Sequence, residues 1–208
     1  FRLPEEVIDE EVGYITSLGP VMHLSKNVES MKALLAEGYD AIFVGTGAPR
    51  GRDLDIPGRK EAAANIHIGI DWLSNVSFEH IAKIGKRVIV LGGGNTAMDC
   101  CRTSRRLGGD DVKVIVRSGF NEMKASPWEK EDAIGEDIPI INFLNPKEFN
   151  HKNGKLTGVT FQKMHWTKDG KGKRALVPTG EPDQHFECDD VLIAVGQENS
   201  FPWIERDV

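Results

Sequence analysis

The stretch VIVLGGGNTAMDCC (88–101) runs an apolar, β-branched segment straight into three glycines and then into residues with helical spacing. A backbone that bare at the end of a buried strand serves a ligand that must approach the main chain closely, and this junction constrains the fold more than any other. Lys86–Leu91 is predicted as a strand, Asn95–Leu107 as a helix closed by Gly108-Gly109, and Val112–Val116 as a second strand. Parallel strands need such a crossover, so the three segments form one βαβ unit. Gly92-Gly93-Gly94-Asn95-Thr96-Ala97 fits G-x-G-x-x-A in the strand-to-helix setting that gives the pattern its meaning. Gly92 permits the sharp turn, Gly94 leaves room for a pyrophosphate, and the small Ala97 lets the helix pack near the strand. Free N–H groups at Asn95 to Ala97, at the positive end of the helix, would then face the phosphates.

The end of the second strand decides which dinucleotide is expected. An Asp or Glu there would grip the ribose 2′-OH of NAD, but VKVIV is followed by Arg117 and Ser118, with Lys124 on the same loop. An arginine pairs with a 2′-phosphate through its planar fork and a serine hydroxyl adds a hydrogen bond, so NADP(H) is favoured over NAD(H).

Elsewhere the chain reads as follows. Glu5 to Leu18 is mixed and acidic, Val28–Gly38 is a short amphipathic helix with a terminal glycine, and Ala41–Val44 is a buried strand with Gly45-Thr46-Gly47 as a tight exit. RDLDIPGR is a loop, and GIDWLSNVSFEHIAKIG is helix or helix-turn. Glu129–Gly135 is helical and IPIINFL (138–144) is a third buried strand. Beyond Pro146 the rhythm becomes a β-meander, with Asn153-Gly154 as a hairpin turn and KDGKGK as a further loop. CDDVLIAVGQENSF repeats the strand-then-glycine logic of YDAIFVGTGAP, which points to two equivalent junctions.

Composition narrows the function. A net charge of −6 argues against nucleic-acid binding, and no window reaches the apolar length of a membrane span. Cys100, Cys101 and Cys188 form no C-x-x-C, the six histidines have no metal-ligand spacing, and no serine sits in G-x-S-x-G, so no metal site or hydrolase triad is expected. At least one of Cys100 and Cys101 should be core. Arg102, Arg105 and Arg106 read as a solvated basic face at a helix C-terminus. A reducing, cytoplasmic compartment is the default. The chain opens on Phe1 and stops soon after a strand-like run, as a piece of a longer protein would.

FRLPEEVI, EGYDAIFVGTGAP, GKRVIVLGGGNTAMDCCRTSRRLGG, VIVRSGFNEMKASPWE and CDDVLIAVGQ together resemble, in order, the NADPH-binding region of glutamate synthase small (beta) subunit-like flavoproteins, and the matching region of dihydropyrimidine dehydrogenase. The resemblance implies an α/β fold: a Rossmann-like three-layer NAD(P)-binding domain with a parallel sheet and a β-meander, plus a partial flanking FAD-domain segment. It implies that residues 1–60 belong to the FAD domain, 61–198 bind NAD(P)H, and 199–208 return toward the FAD domain. Gly45, Thr46 and Gly47 would then lie near the flavin nucleotide, and Gly196 and Gln197 on the nicotinamide side. The activity implied is hydride transfer from NADPH to FAD in the full-length protein, with electrons passed on to an iron–sulfur centre or partner subunit. The family's FAD glycine loop and its C-terminal Gly-Asp segment have no counterpart here, so these 208 residues alone are expected to be inactive. Many relatives carry two arginines after the second strand, where this chain has Arg117 and Ser118. Thioredoxin reductase shares the GGGNTA loop, but its redox C-x-x-C is missing. The competing expectation is a regulatory module that binds NADP(H) without turnover.

Overall fold

The computed structural model describes residues 3–168 and 172–208; the centre of the KDGKGK loop lies outside them. Packing divides the chain between Gly45 and Thr46 and again between Ser200 and Phe201.

In the smaller unit, helix α1 (Glu5–Ser17) carries Glu5 and Glu6 in its first turn, where acids complement the helix dipole. Ile8, Val12 and Ile15 are helically spaced along it, and all three are exposed. Helix α2 (Met31–Leu35) is capped by the Ser30 hydroxyl, which accepts from Ala33 N at 3.0 Å. The C-terminal segment closes on it: Met31 N donates to Trp203 O at 2.9 Å and to the Glu205 carboxylate at 3.1 Å. The expected strand at Ala41–Val44 does not form. Those residues take no regular secondary structure and are unpaired, and Phe43 is 94% exposed. An apolar run becomes a strand only where a neighbour accepts its ladder hydrogen bonds, and no described residue does so here.

In the larger unit, β1 (Arg50–Gly51) is followed by β2 (Ile66–Ile68), α3 (Gly69–Ser77), β3 (Arg87–Leu91), α4 (Asn95–Arg106), β4 (Asp111–Val116), α5 (Pro127–Gly135) and β5 (Ile140–Asn142). The antiparallel strands β6 (Leu144–Lys152), β7 (Lys155–Lys168), β8 (Arg174–Pro178) and β9 (Gln184–Glu187) come next, before β10 (Asp190–Ile193) and β11 (Gln197–Glu198). A parallel sheet of order β2-β10-β3-β4-β5 forms the middle layer. Alternation along its strands sends Val88, Val90, Val112, Val114 and Leu192 toward α3, α4 and α5, where they meet Trp72, Met98 and both Cys100 and Cys101. The other face sends Ile89, Leu91, Ile115, Val191 and Ile193 against Phe149, Val159 and Phe161 of the antiparallel layer. Burial on both faces is why these strands read as continuous apolar runs.

The hairpin turn falls where Asn153-Gly154 predicts it, with φ of +51° and +79°, the signs a tight two-residue turn requires. The run 138–144 is shorter as a strand than expected. Only Ile140–Asn142 pair with β4, and Phe143, at φ +61°, turns the chain out of the parallel sheet and into β6. No helix among the described residues is long and apolar enough to cross a membrane.

Candidate functional site

In the parallel sheet the chain winds outward in one direction through β3, β4 and β5, while β10 and β2 lie on the other side of β3. The carboxyl ends of β3 and β10 therefore mark a topological switch point, the place where such sheets open a crevice. Leu91 and Gly92 leave β3 there, and Ala194 N donates to Leu91 O at 2.8 Å. The three glycines then do three different things. Gly92 has φ +135°, and a Cβ on it would drive into the Ala194 carbonyl oxygen. Gly93 is tight against Met123 and Val116, and its carbonyl accepts Ala125 N at 2.9 Å. Gly94 caps α4 from an extended conformation with nothing within 4 Å of the position of a Cβ.

Beyond it, the N–H groups of Asn95 and Thr96 carry no hydrogen bond among the described residues, as expected for the first turn of a helix. Ala97 N differs from the sequence expectation: it donates back to Gly94 O at 3.0 Å, and its methyl is fully buried beneath the turn. The Asn95 side chain is also engaged, since its Oδ1 accepts Ser126 N at 2.9 Å and so ties the loop after β4 to the start of α4.

That loop is anchored by buried Met123 and Ala125, while Arg117 and Lys124 remain exposed and Ser118 half-buried. The opposite wall comes from the β1–β11 ribbon, in which Arg50 and Gly51 pair antiparallel with Glu198 and Gln197. Arg52 N donates to Gly196 O at 3.0 Å, and Gln197 Nε2 donates to Thr96 Oγ1 at 3.2 Å, joining the ribbon to α4. The echo between YDAIFVGTGAP and CDDVLIAVGQ thus has a structural counterpart: the segments that follow the two glycine exits pair with each other.

Between the walls lies a cavity of about 620 Å³ that brings together Gly92, Gly93, Gly94, Thr96, Arg117, Ser118, Lys124, Gly196 and Gln197. Asn95 and Ala97 do not line it. Gly45, Thr46 and Gly47 are exposed and not part of it. Sequence reasoning missed Arg52, Asp53, Glu122 and Met123, which also line the cavity. Glu122 and Met123 lie inside the span between Arg117 and Lys124, and the ribbon echo was the one signal pointing toward Arg52.

Arg117 and Lys124 form no ion pair with any described residue, so the wall after β4 carries cations available to a ligand. The expected solvated face of α4 is corrected at Arg102. It is buried and pairs with Asp132 at 3.0 Å and Glu136 at 2.9 Å, because α5 packs across the end of α4. Cys100, Cys101 and Cys188 are all free and buried. Burial pushes the Cys101 and Cys188 thiols up to about 12 and Cys100 upward as well, so none is poised as a thiolate. Among the described residues no group of three His, Cys, Asp or Glu could hold a metal ion.

Comparison with known proteins places this geometry. Two relatives are the NADP(+)-dependent formate dehydrogenase subunit beta of Moorella thermoacetica and the NADPH-Fe(3+) oxidoreductase subunit beta of Geobacter sulfurreducens. The first is 30% identical over 95% of this chain, the second 28% over 98%. The chain spans 28% and 31% of their lengths. Mycobacterium tuberculosis FprA in complex with NADPH superposes with a TM-score of 0.70 at 19% identity, over 93% of this chain and 59% of that one. Thioredoxin reductase from Lactococcus lactis superposes with a TM-score of 0.56 at 21% identity, over 76% and 45%. These two likenesses show the fold. The family model described as pyridine nucleotide-disulphide oxidoreductase matches residues 9–207, and the chain belongs to that family.

Proposed function

We propose that this chain binds NADP(H) at the carboxyl ends of β3, β4 and β10 and that, in the whole protein, it delivers reducing equivalents from NADPH to FAD. The observation that carries the reading is one cavity joining the open helix start at Gly94 and Thr96 to the unpaired cations Arg117 and Lys124. Their chemistry fits the ligand: backbone donors and a helix dipole for a pyrophosphate, and a guanidinium, a hydroxyl and an ammonium for a 2′-phosphate. Gly93 holds the two subsites together, since its carbonyl anchors the loop at Ala125. Gly196 and Gln197, at the other wall, would orient the nicotinamide end.

When both cofactors are bound, the nicotinamide supplies a hydride and the flavin accepts it. This chain's own residues bind and orient; none among the described residues is placed as an acid, base or nucleophile. On the same reading residues 1–60, including Gly45, Thr46 and Gly47, and residues 199–208 serve the FAD side, while 61–198 serve NADP(H), with Arg52 and Asp53 reaching the cavity from the first segment. Electrons would continue to an iron–sulfur domain or partner subunit, and the beta-subunit names of the relatives from Moorella and Geobacter support the second of these. Three unpaired buried thiols accord with a reducing, cytoplasmic setting.

Coenzyme choice tests the reading. Arg117→Ala removes a charge-assisted hydrogen bond worth about 1.5–3 kcal/mol, so NADPH binding should weaken about tenfold or more while NADH binding barely changes. Raising the salt concentration should narrow the wild-type preference, because a contact near solvent is screened. The measurement is a pair of titrations, NADPH and NADH, on each protein at two ionic strengths. Parallel losses for both coenzymes would remove the 2′-phosphate from Arg117.

A further inference from the structure

Two acids line the cavity with its basic side chains: Asp53 follows Arg52, and Glu122 lies between Arg117 and Lys124 in the chain. A carboxylate there is at odds with a polyanionic ligand, because like charges within a Debye length repel. Each acid, however, is engaged by an arginine that does not itself line the cavity. Arg59 meets Asp53 at 2.8 Å, and Arg174 meets Glu122 at 3.1 Å.

The second pair is the informative one, since Glu122 is the sole carboxylate between Arg117 and Ser126. Its partner arrives from a different layer. Arg174 opens β8, and its guanidinium lies 4.4 Å from the centre of the Trp166 ring on β7, so an aromatic face steadies the same group that reaches the carboxylate. Gly119 leaves the space that Glu122 needs to fold back over its own loop, because a side chain there would collide with the carboxylate.

We infer that the Glu122–Arg174 pair sets coenzyme selectivity. Arg174 neutralises and holds the one carboxylate of the 117–126 loop, which leaves that loop cationic for a 2′-phosphate. Released, Glu122 repels the phosphate and is free to accept a hydrogen bond from a ribose 2′-hydroxyl, the chemistry that suits NAD(H). Arg174 is a positioning residue: it acts on the ligand through Glu122. The inference rests on the assignment of the 2′-phosphate to the Arg117 loop.

The probes are adenosine 2′,5′-bisphosphate and 5′-AMP, which differ only in the 2′-phosphate, titrated calorimetrically into the native-length protein. Arg174→Ala should weaken the bisphosphate about fivefold, the scale of an exposed ion pair, and leave 5′-AMP unchanged or slightly tighter. Glu122→Gln placed in the Arg174→Ala background should restore the bisphosphate, because no charge remains to be released. Arg174→Lys should retain most of the wild-type preference. Equal losses of both probes in Arg174→Ala, no loss of either, or a loss that Glu122→Gln does not rescue would each overturn the inference. Arg117→Ala in the same series separates the two readings. If it leaves the bisphosphate preference intact, the 2′-phosphate assignment itself fails; if it abolishes the preference while Arg174→Ala does nothing, only the role of Arg174 falls.

Discussion

Gly92 and Gly94 stand two residues apart in one turn, and a side chain at each should fail for a different reason. At Gly92 the backbone is at φ +135° and a Cβ runs into the Ala194 carbonyl, so Gly92→Ala forces apart the ends of β3 and β10. The expected cost is on the order of 3 kcal/mol of stability, since that region of backbone space is essentially closed to other residues. At Gly94 the backbone is extended and the Cβ position is open, so Gly94→Val should melt within a few degrees of wild type. It should nonetheless lose NADPH, because the added methyl groups stand where the pyrophosphate must approach the helix start. Thermal melts and NADPH titrations on both variants separate the two cases; unchanged affinity in a folded Gly94→Val protein would remove the phosphate from this turn. The geometry of the glycine turn was legible in the sequence, whereas the occupation of the Asn95 side chain by Ser126 was not, because that partner lies 31 positions away.

At the scale of elements, α4 and α5 are joined through charge. Arg102 pairs with Glu129, Asp132 and Glu136, and Arg106 reaches Glu136 at 2.7 Å. The Arg106 hydrogen bond above all, with Arg102 beside it, pulls the Glu136 carboxyl down from its ordinary 4.5 to about 2. A carboxyl whose value is lower in the folded than in the unfolded chain adds stability above about 4.5, and that stability is lost as the pH falls from there toward about 2. Urea midpoints followed from pH 7 to pH 2.5 should therefore drop along an acid limb that is shallower in Glu136→Gln; parallel limbs in the two proteins would refute this linkage. Arg102→Met, which leaves carboxylates facing a half-dry interface, should cost on the order of 2–4 kcal/mol at pH 7. A place in the last turns of α4 suggested a solvated Arg102, because position along one helix cannot register where a second helix will cross it.

At the scale of the larger unit, three thiols report on the whole packing. Cys100 and Cys101 sit in the helical layer and Cys188 against the antiparallel layer, all fully buried. With Cys101 and Cys188 held at about 12 by burial, the native protein should resist maleimide at pH 7.5 and react only at the rate of unfolding. Rapid labelling of the folded protein would contradict the three-layer packing. Features that depend on near neighbours could be read along the chain: the G-x-G-x-x-A turn between β3 and α4, the Asn153-Gly154 hairpin, and the apolar runs of β3, β4 and β10. Each is a local conformational preference or a period along the chain, and the physics that fixes it acts within a few residues. Packing settled the fate of Ala41–Val44, as apolar as those runs yet unpaired, because a strand is a partnership and its composition says nothing of who accepts its hydrogen bonds. The same holds for Glu122 and Arg174, 52 positions apart, and for Arg52 beside Gly196: each pair meets through tertiary packing, between partners far apart in the chain.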